Sequence, residues 1–369
     1  MISKPMRAIL HALSYSDMEL ESSRRLADLK KLDPVRIFCR KLDAEAYNGD
    51  YKVPLRLYFP SEEVMENMEK ACDRKDEAAT GLASFPMSAL LFFHGGGWVT
   101  ESVENYDRVC ARMAQATGQL VVSVEYRLAP EHPFPTGLRD CYAAARALSK
   151  GELYWERPVD TEEQQTESNA SRTRRISLHP VSNEASQKDS QNTRPILLRV
   201  PAGGLTVIGD SAGGNLAAAL SLMARDTGEF PIERQILIYP ALNNCYTEES
   251  EFTSVQENGE GYLLTAKKME RYLELYESAP EDRQNPYFAP ILANDLQNMP
   301  RTLILTAEYD PLRDEGEAYG ERLRATGNDV EMHRIADALH GFFALGIKFW
   351  HVQESFDYIN SFLKDREKE

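Results

Sequence analysis

The chain is poor in cysteine and in positive charge and has no long apolar run, and each shortage closes off a class of function. Its five cysteines, Cys39, Cys72, Cys110, Cys141 and Cys245, are odd in number and form no C-x-x-C pair. Such scatter suits buried thiols in a reducing cytoplasm, not a disulfide framework or a zinc site, so a cytoplasmic location without metal or cofactor is expected. No stretch approaches the length of a membrane-spanning helix, and membrane insertion is not expected. Near the start, Ala8-Ile9-Leu10 follows Lys4 and Arg7, but His11, Asp17 and Glu19 interrupt the apolar core a signal peptide needs. The 42 Lys and Arg are outnumbered by 58 Asp and Glu, a formal charge of -16. That balance argues against nucleic acid, anionic membranes and polyanionic substrates.

With 369 residues and 42% hydrophobic content, the chain can bury one large core and is too short for several unrelated enzyme domains. Apolar runs predict strands at 54–58, 90–93, 120–126, 206–208, 236–239, 303–306 and 330–335, with helical patterns between them such as 135–148. Strands alternating with helices predict an α/β fold with a mostly parallel, doubly wound sheet and functional loops at the strands' carboxyl ends.

Four such ends carry chemistry. The run Leu205-Thr206-Val207-Ile208 leads into Gly209-Asp210-Ser211-Ala212-Gly213-Gly214 and then a helix-like segment, which is a G-x-S-x-G elbow in a strand-to-helix setting. A serine hydroxyl is a weak nucleophile, so it must be exposed on a strained turn within reach of a base, and flanking glycines let strand and helix crowd together. Upstream, a buried strand runs into His94-Gly95-Gly96-Gly97-Trp98. Consecutive glycines expose backbone N–H groups, which suits an oxyanion hole; the spacing of a phosphate loop is absent there. Downstream, Asp310 closes one apolar run and His340 follows another, giving the chain order Ser, Asp, His. Asp314 competes with Asp310 but sits where a helix N-terminus is expected, and His333 competes with His340 but lies inside a strand.

The paired His94–Trp98 and Gly209–Gly214 signatures resemble the hormone-sensitive lipase-like family of α/β hydrolases. The likeness runs from about Tyr51 onward and includes Tyr126-Arg127-Leu128-Ala129-Pro130-Glu131-His132-Pro133-Phe134-Pro135, Tyr287-Phe288-Ala289-Pro290 and Glu308-Tyr309-Asp310-Pro311-Leu312-Arg313-Asp314-Glu315. It implies an α/β-hydrolase fold with a helical cap, Ser211 as nucleophile, His340 as base, Asp310 as its orienting acid, and an oxyanion hole from the N–H groups of Gly96, Gly97 and Ala212. His94 and His132 are then structural, and Trp98 either borders the substrate pocket or packs beneath the cap. The implied activity is that of a carboxylesterase on small-molecule esters with short to medium acyl groups. An amidase of the arylformamidase type and a non-catalytic small-molecule receptor are the alternatives.

The expected organisation is an N-terminal helical cap segment at 1–45 and a hydrolase domain at 46–369. Amphipathic stretches carrying Leu10, Leu13, Leu20, Leu26 and Leu29 mark the first. A second cap segment is expected at 243–280, where Met269, Tyr272, Leu273 and Tyr276 recur at helical spacing. Residues 151–202 are rich in Ser, Thr, Gln and charge, and predict a solvated, largely disordered excursion carrying Arg174-Arg175-Ile176-Ser177, a weak match to a basophilic kinase site.

Overall fold

The computed structural model describes Arg24 and residues 39–73, 83–158, 193–345 and 349–364. Its main sheet has eight strands: β1 Lys41–Asn48, β2 Tyr51–Tyr58, β4 Ala89–Phe93, β5 Leu120–Val124, β8 Leu205–Asp210, β9 Arg234–Ile238, β10 Arg301–Tyr309 and β11 Val330–Leu339. They lie in the order β1-β2-β5-β4-β8-β9-β10-β11. The β1–β2 and β2–β5 pairs are antiparallel; from β5 to β11 every pair is parallel. The central strands β4, β5 and β8 are buried at every position. Helices cover both of their faces, so they read as unbroken apolar runs rather than as alternation.

The helices are α1 Glu62–Asp73, α2 Asp107–Thr117, α3 Thr136–Lys150, α4 Ala212–Thr227, α5 Thr253–Asn258, α6 Ala266–Tyr276, α7 Arg313–Ala325 and α8 Trp350–Lys364. On one face, α3, α4 and α7 contribute Leu138, Leu216 and Tyr319 to the larger core; on the other, α2 and α8 contribute Met113 and Phe356 to the smaller one. Helix α4 is buried almost all round, which its run Leu216-Ala217-Ala218-Ala219-Leu220 permits because alanine lets strands and helices approach closely.

Two boundaries differ from the sequence expectation. Residues 41–45, expected in the helical N-terminal segment, belong to β1, where Leu42, Ala44 and Ala46 turn inward and Lys41, Asp43 and Glu45 alternate with them. The ends of the 151–202 excursion are not disordered. The chain leaves as β6 Leu153–Pro158 and returns as β7 Thr193–Arg199, paired antiparallel from Leu153↔Leu198 to Pro158↔Thr193. Strand β3 Ala83–Pro86 runs parallel to β7 and completes a three-stranded second sheet. The ends are less polar than the stretch between them, carrying Leu153-Tyr154-Trp155 and Ile196-Leu197-Leu198, and backbone pairing organises them. The segment 159–192, with the Arg174–Ser177 match, and most of 1–38 lie outside the described residues.

One buried ion pair joins the early strands to α3. Asp140 is fully buried and takes two bonds from the Arg127 guanidinium, at 2.8 and 2.7 Å, one from the Arg127 N–H at 3.1 Å and one from Asn48 at the end of β1 at 2.7 Å. Arg127 in turn stacks 3.9 Å from the Tyr51 ring centre at the start of β2. Removing one partner of such a pair strands the other charge. Asp140→Ala is therefore expected to lower unfolding free energy by about 3 kcal/mol or more, read from urea denaturation; a loss no larger than that of a surface aspartate would refute the assignment.

Candidate active site

Ser211 stands between β8 and α4 at φ 57° and ψ −119°, a conformation side chains other than glycine rarely adopt. Two glycines make it possible. A side-chain carbon at Gly209 would collide with the Gly213 carbonyl, and one at Gly213 with the Phe93 carbonyl at the end of β4. The turn is thus wedged against the neighbouring strand, and the Ser211 N–H is satisfied by the Ile238 carbonyl at 2.9 Å.

The imidazole of His340 lies across this turn. Its Nε2 is 2.9 Å from Ser211 Oγ and its Nδ1 is 2.7 Å from Asp310 Oδ2. Asp310 is fully buried, and its second oxygen accepts the Leu312 N–H at 2.9 Å. A carboxylate on one ring nitrogen fixes the proton there and leaves the other as an acceptor for the serine hydroxyl.

The competitors fall elsewhere. His333 pairs with Glu331 at 2.7 Å and stacks on Tyr358. Asp314 opens α7 and accepts the Ser254 N–H at 2.7 Å; burial pushes its carboxyl up, but the Arg313 guanidinium and the Ser254 N–H outweigh that and hold it below its ordinary range. His94 is buried with Nδ1 2.8 Å from the Gly95 carbonyl oxygen and its ring stacked on Tyr126, consistent with a structural post under the glycine loop. His132 is exposed in a turn closed by its N–H to the Leu128 carbonyl.

The glycine loop leaves the end of β4 beside β8, in the register Phe93↔Gly209. Among the described residues, the N–H groups of Gly96, Gly97 and Ala212 have no hydrogen-bond acceptor. Helix α6 lies against this loop, with the Tyr272 ring seated on Gly97 so closely that a side chain there would meet it. Tyr272 was legible in the sequence only as one member of an apolar stripe; its neighbours Met269, Leu273 and Tyr276 are core residues, whereas Tyr272 is half-buried at the loop. Trp98 packs rather than lining a cleft. It is 2% exposed and stacks on Tyr276 at 4.5 Å with 4° between the rings. Arg24 also reaches the loop, donating to the Val99 and Ala129 carbonyls at 2.8 and 2.9 Å and gripping Glu131 with two bonds.

Helix α5 is tied to the loop that carries Asp310. Ser254 donates its hydroxyl to the Pro311 carbonyl at 2.8 Å and accepts the Asp314 N–H at 3.1 Å, and Asn258 donates to the Asp310 carbonyl at 3.3 Å. In the first turn of α7, Glu315 is fully buried, and its Oε1 accepts the N–H groups of Leu242 and Asn243 and the Tyr246 hydroxyl. Its Oε2 is buried with no partner among the described residues. Burial, with the charge of Asp310 adding to it, pushes the Glu315 carboxyl up to about 8 against those three donors. No group of three His, Cys, Asp or Glu that could hold a metal ion occurs among the described residues, and no helix among them is long and apolar enough to cross a membrane.

A family model described as alpha/beta hydrolase fold matches residues 90–344. The chain is 30% identical to esterase LipI of Mycobacterium tuberculosis over 341 residues, covering 92% of this chain and 86% of that one. It is 31% identical to an ethyl acetate hydrolase of Pseudomonas putida over 297 residues, 80% of this chain and 73% of that one. Its fold is similar to that of a hyperthermophilic esterase from Pyrobaculum calidifontis, with a TM-score of 0.72 and 31% identity over 100% of this chain and 99% of the other.

The Glu315 environment yields a stability test. A carboxyl raised in the folded state holds a proton that the unfolded chain gives up at lower pH, so its stabilisation is full below the unfolded value and is lost as pH rises through the folded one. The protein is therefore expected to lose stability progressively between about pH 5 and pH 8. Glu315→Gln keeps an acceptor for the three donors without the charge, and should flatten that slope in urea midpoints measured across the range. Parallel slopes in the two proteins would exclude Glu315 as its source.

Proposed function

The chain belongs to the hormone-sensitive lipase-like family of α/β hydrolases and is a hydrolase of carboxylic ester bonds, and from that premise we propose that Ser211, His340 and Asp310 form its catalytic triad. The observation that carries the assignment is the unbroken chain of hydrogen bonds, 2.9 and 2.7 Å long, from a serine on a strained turn through an imidazole to a buried carboxylate. His340 takes the proton of Ser211 as its oxygen attacks the ester carbonyl. The developing oxyanion is held by the N–H groups of Gly96, Gly97 and Ala212, which have no other acceptor among the described residues. The alcohol leaves with the proton returned by His340. Water, deprotonated by the same imidazole, then releases the acid from the acyl-enzyme. Asp310 holds the ring in the useful tautomer and stabilises the imidazolium as it forms.

The substrates we assign are esters of small molecules with short to medium acyl groups. In support, Tyr272 of α6 crowds the oxyanion loop at Gly97, and Tyr276 of the same helix seals Trp98 into the core. The relatives point the same way, one being named an ethyl acetate hydrolase. We assign the cap to the segment preceding β1 together with residues 243–280. Arg24, bonded to the Val99 carbonyl, and α6, seated on Gly97, are the contacts that support it.

The test is hydrolysis of p-nitrophenyl esters of increasing acyl length at neutral pH. Turnover should favour acetate and butyrate over laurate, vanish in Ser211→Ala, and drop about ten-thousandfold in Asp310→Asn, whose amide favours the wrong imidazole tautomer. Undiminished turnover in Ser211→Ala would overturn the assignment, and a preference for laurate would overturn the pocket size.

A further inference from the structure

A buried carboxylate that acyl transfer does not use lies directly behind the nucleophile. Asp210 is 2% exposed, yet three donors converge on it: the Gly95 N–H at 2.9 Å on one oxygen, and the hydroxyls of Tyr106 and Tyr239 at 2.9 and 3.2 Å on the other. The Tyr239 hydroxyl also accepts the Phe343 N–H at 3.2 Å. Its ring centre lies 4.8 Å from that of His340 and 5.1 Å from that of Phe342. Gly95 begins the oxyanion loop and Phe343 follows His340 in the base loop. A single side chain next to Ser211 thus touches one loop directly and the other through a single hydroxyl.

We infer that Asp210 and Tyr239 are positioning residues, a relay that sets the base loop and the oxyanion loop at fixed distances from Ser211. The inference rests on the triad assignment above. Two features of Tyr239 argue that its placement is specific. Its backbone stands at φ 34°, a left-handed conformation unusual for a tyrosine that persists only where surrounding structure overdetermines it. Its hydroxyl is the acceptor for a buried backbone N–H, and without it that N–H would be left unsatisfied. The base loop would then be free to shift, and a displacement of a fraction of an ångström between imidazole and serine is costly because the reacting atoms must be held at near-attack distance.

The comparison of Tyr239→Phe with Tyr106→Phe isolates the relay. Each variant removes one hydroxyl donor from the same oxygen of Asp210, but only Tyr239→Phe orphans the Phe343 N–H. With p-nitrophenyl acetate, Tyr239→Phe is expected to lower kcat about tenfold to a hundredfold with KM held within about twofold, and to speed hydrogen exchange at the Phe343 amide. Tyr106→Phe should cost kcat at least about tenfold less and leave Phe343 exchange as in the parent. Equal losses in the two variants, or unaltered Phe343 exchange in Tyr239→Phe, would overturn the relay. Should Tyr239→Phe not fold, the pair Asp210→Asn/Tyr239→Phe, which also removes the buried charge, gives the same exchange readout. Ser211→Ala is run alongside. If it retains turnover the triad assignment has failed, whereas its inactivity beside indistinguishable tyrosine variants means that the relay alone has failed.

Discussion

Ser211 is held at a backbone angle of 57°, and most of the architecture around it can be traced to that constraint. Such a conformation costs on the order of 1–3 kcal/mol and relaxes unless the surroundings forbid it. Here they forbid it sterically. Gly213 lies so close to the end of β4, and Gly209 so close to Gly213, that the strand, the turn and α4 cannot separate without opening the centre of the sheet. The strain is thereby carried by the centre of the sheet, where β4 and β8 are buried along their whole length.

The same packing supplies the electrostatics. A sheet whose central strands are dry on both faces brings its loop residues into a medium where hydrogen bonds are strong and unpartnered charges are costly. Asp310, Asp210, Asp140 and Glu315 are four acidic side chains almost without solvent, and each is met by at least two donors. They differ in what they hold. Asp140 joins β1 and the Arg127 loop to α3, Asp310 holds the His340 imidazole, and Glu315 binds the Leu242–Tyr246 loop to α7. The loop clamped by Glu315 also returns to Ser211, since the Ala241 N–H donates to the Ser211 carbonyl at 3.2 Å. Buried carboxylates in this fold therefore act mainly as fasteners between loops that have no secondary structure of their own.

Helices α5 and α6 are joined to this framework at two different points. The ring of bonds among Ser254, Pro311 and Asp314 fixes α5 to the acid loop, and Tyr272 sets α6 on the glycine loop. Moving α5 would strain the bonds to the loop that carries Asp310, and moving α6 would lift Tyr272 from Gly97.

The parts legible in the sequence were those whose chemistry is local. The glycine–serine elbow, the three-glycine loop and the apolar runs announce themselves within a few residues, because backbone sterics and burial on both sheet faces act at that range. Asp314 was separated from Asp310, and His333 from His340, by their positions within a helix start and a strand. Strand β1 was hidden because its inward residues include two alanines, too weakly apolar to mark a period of two. The strands β6 and β7 were hidden because their apolar runs, Leu153-Tyr154-Trp155 and Ile196-Leu197-Leu198, are only three residues long and flank a long polar stretch, and pairing between distant segments leaves no mark in composition. Whether Trp98 lined the pocket or packed away from it could not be read from its neighbours, since the partner that decides it, Tyr276, lies on another element. The sequence by itself determined the kind of chemistry and marked the residues to which we assign it. Only the tertiary structure decided how they are held, through bonds that join residues 30 to 129 positions apart, such as His340 to Asp310 and to Ser211, or Asp210 to the glycine loop. Those distances are set by the packing of helices on the sheet, which no local pattern records.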